Sequence, residues 1–142
     1  MDKSSDYIRM CDKADEIQGQ WSPAHGDFFV GQDGRIECWV DLIHAQRNMT
    51  GNWEVRETGE GVIKVWKYIW LPRLDQLMEL AQVPSLRFEK VTQLFFDWTR
   101  THYPGCEGDA RGVFSSLEQT WLAFIMQRKF RKNWNGSDFE PM

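Results

Sequence analysis

Between residues 62 and 71 the chain alternates. Ile63, Val65, Ile69 and Leu71 fall on one side of an extended strand, and Trp66, Tyr68 and Trp70 on the other. Pro72 ends the pairing, because it has no N–H to give and suits a first helical turn. Beyond it the period changes, and Leu74, Leu77, Met78 and Ala81 recur on one helical face. The pattern predicts a strand that feeds directly into a helix, with both needing cover.

The rest of the chain divides in the same way. Tyr7, Met10, Cys11 and Ala14 are spaced for a short amphipathic helix within residues 3–19, stopped by Gly19. Residues 27–30 and 35–43 predict a hairpin, because Asp33-Gly34 between them supplies the positive φ of a tight turn. Residues 44–52 predict a loop and 53–58 a third strand. Gly59-Glu60-Gly61 is then a turn before the run at 62–71. Together these predict an antiparallel meander of about four strands.

From Pro72 onward the spacing is helical. Helices are predicted over 73–83, 85–102 and 115–131, laid against one face of the sheet. Ser85 caps the second, whose stripe is Phe88, Val91, Phe95 and Trp98. Tyr103-Pro104-Gly105 ends it, and residues 105–113 form a glycine-rich loop. Ser115-Ser116-Leu117-Glu118 predicts a capping box with Ser115 as the cap, and Leu117, Trp121, Leu122, Phe124 and Ile125 follow as a buried stripe. Asn135-Gly136 is a turn. The expected fold is therefore α+β in a single domain, residues 1–142, with a short N-terminal helix and flexible ends at 1–5 and 137–142.

Composition sharpens this in two places. Eight Trp and nine Phe in 142 residues are a surplus of large rings. Burial is their commoner fate, yet Trp and Tyr are also enriched at interfaces, so a surface patch competes with a core. Net charge is −4 but uneven: residues 1–60 hold 12 acids against 6 bases, and residues 61–142 hold 9 against 11. An acidic balance overall opposes a dedicated nucleic-acid binder. Three cysteines, Cys11, Cys38 and Cys106, match no metal spacing and predict free thiols. The longest apolar run, residues 121–126, is far short of the roughly 20 residues a membrane helix requires, so no membrane partner is expected.

Two segments resemble a family of small uncharacterised proteins encoded by phages and prophages of Gram-positive bacteria. One is Trp70-Leu71-Pro72-Arg73-Leu74-Asp75-Gln76-Leu77. The other is Phe114-Ser115-Ser116-Leu117-Glu118-Gln119-Thr120-Trp121-Leu122-Ala123-Phe124-Ile125-Met126, with Trp134-Asn135-Gly136 after it. The family carries Trp-Leu-Pro-Arg-x-Asp-Gln-Leu, Ser-x-Glu-Gln-x-Trp-Leu-Ala-Phe and a closing Trp-(Asn/Asp)-Gly. The likeness covers about half the chain and leaves the first 60 residues without a landmark. It implies a phage-related genomic setting and no activity; the free thiols and a charged rather than apolar N-terminal stretch predict the cytoplasm of a host bacterial cell.

Residue type marks the candidate sites. Arg73, Asp75 and Gln76 stand where a strand meets a helix, and Arg73 suits a carboxylate or phosphate, although helix-end charges are usually structural. With Trp66, Tyr68 and Trp70 they make the leading candidate surface, for a protein partner or a second copy of the chain. Arg128, Lys129, Arg131 and Lys132, with Trp134 beside them to stack on a base, make an alternative nucleic-acid surface. Helix-end cations are also routine complements of the dipole. Glu118 is explained by capping rather than catalysis. His25, His44 and His102 with Cys38 and Cys106 lack the paired spacings of a zinc site, so no metal or cofactor is expected. No phosphate loop, nucleophile elbow or His-Glu-x-x-His is present. The leading expectation is a binding protein of phage origin, then a nucleic-acid-associated protein, then an enzyme of unseen type.

Overall fold

A computed structural model describes residues 1–31, 33–40, 44–47, 53–56, 63–102 and 113–142, with 44–47, 53–56 and 63–66 described at the level of the backbone. The chain is α+β. It opens with α1 (Ser5–Lys13), whose cap is Ser4: its hydroxyl accepts from the Tyr7 N–H at 3.2 Å. The predicted face of Tyr7, Met10, Cys11 and Ala14 is buried. A break at Ala14 starts the one-turn α2 (Asp15–Gln18).

The predicted hairpin is present. β1 (Phe28–Val30) pairs with β2 (Ile36–Cys38), with Phe29 opposite Glu37, and Gly34 takes φ +79° in the connection. The hairpin does not extend into a four-stranded meander. β3 (His44–Arg47), β4 (Trp53–Arg56) and β5 (Ile63–Trp66) form a separate antiparallel sheet in that order. Residues 44–47, expected in a loop, are therefore a strand. The run at 62–71 is divided: β5 stays with β4, and beyond Lys67 and Tyr68, β6 (Ile69–Leu71) crosses to the first sheet and pairs with β1, placing Phe29 opposite Trp70. Alternation fixes which side chains share a face, and a change of pairing partner leaves it intact. The turn expected at 59–61 and most of the loop expected at 105–113 lie outside the described residues.

β6 has two partners besides β1. The Gln18 amide takes both polar groups of Trp70, donating to its carbonyl at 2.9 Å and accepting from its N–H at 2.8 Å. A side chain thereby stands in for a neighbouring strand on an edge that would otherwise be unpaired. Tyr7 Oη donates to the Pro72 carbonyl at 2.6 Å. The rings of this region pack together: Trp21 stacks on Trp70 at 6.1 Å and 4°, and Phe29 meets Trp39 at 5.5 Å.

The helical half has α3 (Leu74–Leu80), α4 (Phe88–His102) and α5 (Leu117–Phe130). They are not a C-terminal trio on one sheet face. α5 lies at the centre, in contact with α1, α3, α4 and the strand that comes after it. Its residues 119–126 are buried without interruption. Phe95 stacks on Trp121 at 4.0 Å, and Phe124 meets Phe95 edge-on at 5.5 Å. Two stripe positions are corrected: Phe88 is 49% and Leu117 41% exposed. Each is the first residue of its helix. Ser85 precedes α4 by three residues and lies in a turn. The chain then closes in a hairpin of β7 (Lys132–Trp134) and β8 (Phe139–Pro141). Phe139, in the segment expected to trail, is buried against Trp134.

Candidate functional site

The cap of α5 is displaced one residue from its expected place. Ser116, not Ser115, is the N-cap, accepting from the Gln119 N–H at 3.2 Å, while Gln119 Oε1 accepts from the Ser115 N–H at 3.2 Å. Glu118 is thereby released to accept from the Asp2 N–H at 3.1 Å. Asp2 in turn accepts from Ser116 Oγ and from Gln119 Nε2. Partial burial pushes the Asp2 carboxyl up, but the hydrogen bonds from Ser116, Ser4 and Gln119 outweigh it and hold the group below its ordinary value. Residues 1–5, expected to be flexible, thus supply a carboxylate to a helix N-terminus.

Of the leading candidates, the strand aromatics are largely interior. Trp70 is 5% exposed and lies against Trp21. Tyr68 is half-buried, 4.8 Å from the Phe29 ring. Burial, and then the charge of Glu37, raises its hydroxyl pKa. Trp66 sits on β5, and its side chain lies outside the described residues.

Arg73, Asp75 and Gln76 do converge, on Asp27, a carboxylate only 3% exposed. Gln76 Nε2 donates to Asp27 Oδ1 at 2.7 Å, and Arg73 reaches the same oxygen at 3.4 Å. Trp21 Nε1 and the Ala24 N–H, each at 3.0 Å, occupy Oδ2. Arg73 also donates to the Gly26 carbonyl at 2.9 Å and to Asp75 at 3.2 Å. Gln76 Oε1 closes the helix start by accepting from the Arg73 N–H at 2.9 Å. The Arg-x-Asp-Gln stretch therefore locks the start of α3 to the loop before β1. Arg73 and Gln76 direct their hydrogen bonds into the protein, whereas the Asp75 side chain is 72% exposed.

The basic end of α5 is different. A groove of about 450 Å³ opens there. Leu94, Trp98 and Phe124 form its apolar floor, and His102, Arg128, Lys129 and Arg131 its polar wall. The cations are not equivalent. Lys129 Nζ donates to the carbonyls of Leu80 and Gln82, satisfying the C-terminus of α3. Burial lowers its pKa. Lys132 lies on β7 and is ion-paired with Glu16 at 2.5 Å, which raises its pKa. Trp134, the proposed base-stacking ring, packs on Phe139 with centroids 4.9 Å apart. Arg128 and Arg131 remain, and among the described residues neither side chain has an acceptor.

Arg131 also stands in the left-handed region, at φ 57° and ψ 42°, where the chain leaves α5. Glycine is the usual residue there. His102 borders the groove with both ring nitrogens in hydrogen-bond contact. Nδ1 lies 3.0 Å from the Trp98 carbonyl, which can only accept, and Nε2 faces the Gln127 amide at 3.1 Å.

A second, shallower depression of about 470 Å³ lies across residues 82–83. It is formed by Asp75, Met78, Glu79, Gln82 and Phe88. Its charge is acidic where the groove is basic. From sequence, Trp98 reads as part of the buried stripe of α4 and His102 only as a member of an unpaired His/Cys set, and nothing singles out Leu94. The signal in the sequence that pointed to this end of α5 was the basic run from Arg128 to Lys132.

Among the described residues no three His, Cys, Asp or Glu side chains gather as metal ligands, and no helix is long and apolar enough to cross a membrane. Cys11 is fully buried and its thiol is pushed far up by burial, which leaves it inert as a nucleophile. Cys106 lies outside the described residues. No protein-family model, curated protein or solved structure matches the chain.

Proposed function

We propose that the chain is a small phage or prophage accessory protein that works by binding another protein or itself, and that the groove at the ends of α4 and α5 is where it binds. The phage setting rests on the sequence resemblance alone. The binding reading rests on one observation: two arginines without acceptors among the described residues, Arg128 and Arg131, stand beside an apolar floor of Leu94, Trp98 and Phe124. That pairing suits a segment carrying an acidic residue next to a large apolar one. The carboxylate meets a guanidinium fork while the apolar side chain is desolvated on the floor. A nucleic-acid backbone would need a track of cations. Lys129 and Lys132 are already engaged, and the chain carries a net charge of −4.

The test is selection from a random peptide library on the immobilised protein. Enrichment of peptides joining Asp or Glu to Phe, Trp or Leu is expected. Arg128→Glu with Arg131→Glu should weaken those peptides by about tenfold or more, as loss of two charge-assisted contacts implies. Peptides without acidic bias, or peptides indifferent to the double substitution, reject the reading. Tight, salt-sensitive binding of a single-stranded oligonucleotide through the same arginines would transfer the groove to a polyanion instead.

A further inference from the structure

Consecutive residues line the two concavities: Gln82 the acidic depression and Val83 the groove. Each holds what the other lacks. The depression presents Asp75 and Glu79, four residues apart on the outer face of α3. Neighbours at that spacing on a helix lie about 5–6 Å apart, while Arg128 stands on the last turn of α5 and Arg131 is its left-handed cap. The Asp75 side chain is 72% exposed, even with Arg73 beside it. Phe88 lines the same depression with 49% of its surface exposed, while the groove offers Leu94, Trp98 and Phe124.

Resting on the reading of the groove as a protein-binding site, we propose that its occupant is a second copy of this chain. The copies pair about a two-fold axis that passes close to residues 82–83. Asp75 and Glu79 of each copy then meet Arg128 and Arg131 of the other, and Phe88 enters the other's groove. Two adjacent patches of opposite character are what an isologous contact requires, since every contact from patch to groove is made twice. A head-to-tail arrangement would use the same patches only once per junction and would continue without closing. The exposed ion pairs contribute register more than affinity, and burial of the two Phe88 rings contributes most of the attraction.

Sedimentation of the full chain over a concentration series tests this. The wild type should reach twice the monomer mass and go no further. Asp75→Lys with Glu79→Lys should be monomeric, and so should Arg128→Glu with Arg131→Glu, because each places like charges at both contacts. An equimolar mixture of the two variants should recover the dimer, since both contacts become complementary again. Phe88→Ala, at an exposed position, should weaken the dimer by about tenfold or more, as loss of a large buried ring does at an interface centre. It replaces the lysine variant if circular dichroism shows that variant unfolded.

A wild type that stays monomeric up to about 1 mM, the weak end of specific affinity, overturns the proposal. So does a dimer indifferent to these substitutions, a mixture that fails to recover, or a mass that keeps growing. Peptide selection remains the separate measure of the groove. Acidic, apolar peptides retained by a strictly monomeric protein would leave the binding site standing and remove only the second copy as its occupant.

Discussion

At the scale of single residues, most of the polar chemistry visible in the sequence is used internally. Asp27 drew no notice in the sequence, having no motif around it, yet four donors surround it. A buried carboxylate is tolerable only when its acceptor sites are filled. Asp27→Ala would strand the Trp21 N–H and the Gln76 amide and leave Arg73 without its buried partner. The expected loss is about 3–5 kcal/mol, read from denaturant unfolding. A loss below about 1 kcal/mol would mean that water replaces the carboxylate without strain. Arg131 predicts the opposite sign. A side chain at φ 57° costs what glycine does not, so Arg131→Gly should stabilise the chain by about 0.5–1 kcal/mol. The same change should weaken whatever the groove binds. A residue retained at a stability cost beside a groove is the pattern expected of a binding residue. Arg73, Asp75 and Gln76 were legible as a cluster because their spacing at a strand–helix junction is informative. Their service to Asp27 was not, because Asp27 lies 46 residues from Arg73 in the chain.

At the scale of elements, the sequence specified faces better than partners. The alternation over 62–71 correctly sorts Trp70 from Leu71, yet it contains nothing to show that β5 joins β4 while β6 joins β1. β3 reads His-Ala-Gln-Arg, with neither alternation nor a β-branched residue, so no local pattern announces it. The start of α5 shows a finer limit. Ser115 and Ser116 each have an acidic or amide residue three places on, so two capping boxes fit the same letters. The structure uses Ser116 with Gln119. Ser116→Ala should therefore cost about 1 kcal/mol, and Ser115→Ala a few tenths, in thermal or denaturant unfolding. Equal costs would return the cap to the position the sequence first suggests. Asp2 adds a pH signature at this helix end. Its folded pKa lies below the ordinary value of 3.8, so its contribution is fully present above that value. The contribution is lost as pH falls through the folded pKa. The fall in Tm below about pH 4 should be shallower in Asp2→Asn than in the wild type.

At the scale of the molecule, the acidic and basic halves of the sequence are joined. Lys132 pairs with Glu16, Lys13 with Asp138, and Glu118 receives the Asp2 N–H. All three contacts tie residues 2–16 to the last third of the chain. Its period was misread as a one-sided stripe because eight consecutive buried residues, 119–126, leave no polar face to mark an orientation. A helix buried all round is held by every element it touches, so no single neighbour can move to fill a void made in it. Leu122, with no exposed surface, tests this. Leu122→Ala should cost about 4–5 kcal/mol, near the upper end for such a truncation, because relaxation would require α1, α3, α4 and β7 to shift together. The same central position predicts one unfolding transition for both aromatic clusters. Trp fluorescence, which reports Trp21 and Trp70 as well as Trp98 and Trp121, should then trace the same curve as far-UV circular dichroism. If Leu122→Ala instead separates the two signals, α5 supports only the cluster of Phe95, Trp98 and Phe124. The sheet of β1, β2 and β6 would then hold itself together through Trp21, Phe29 and Gln18 alone.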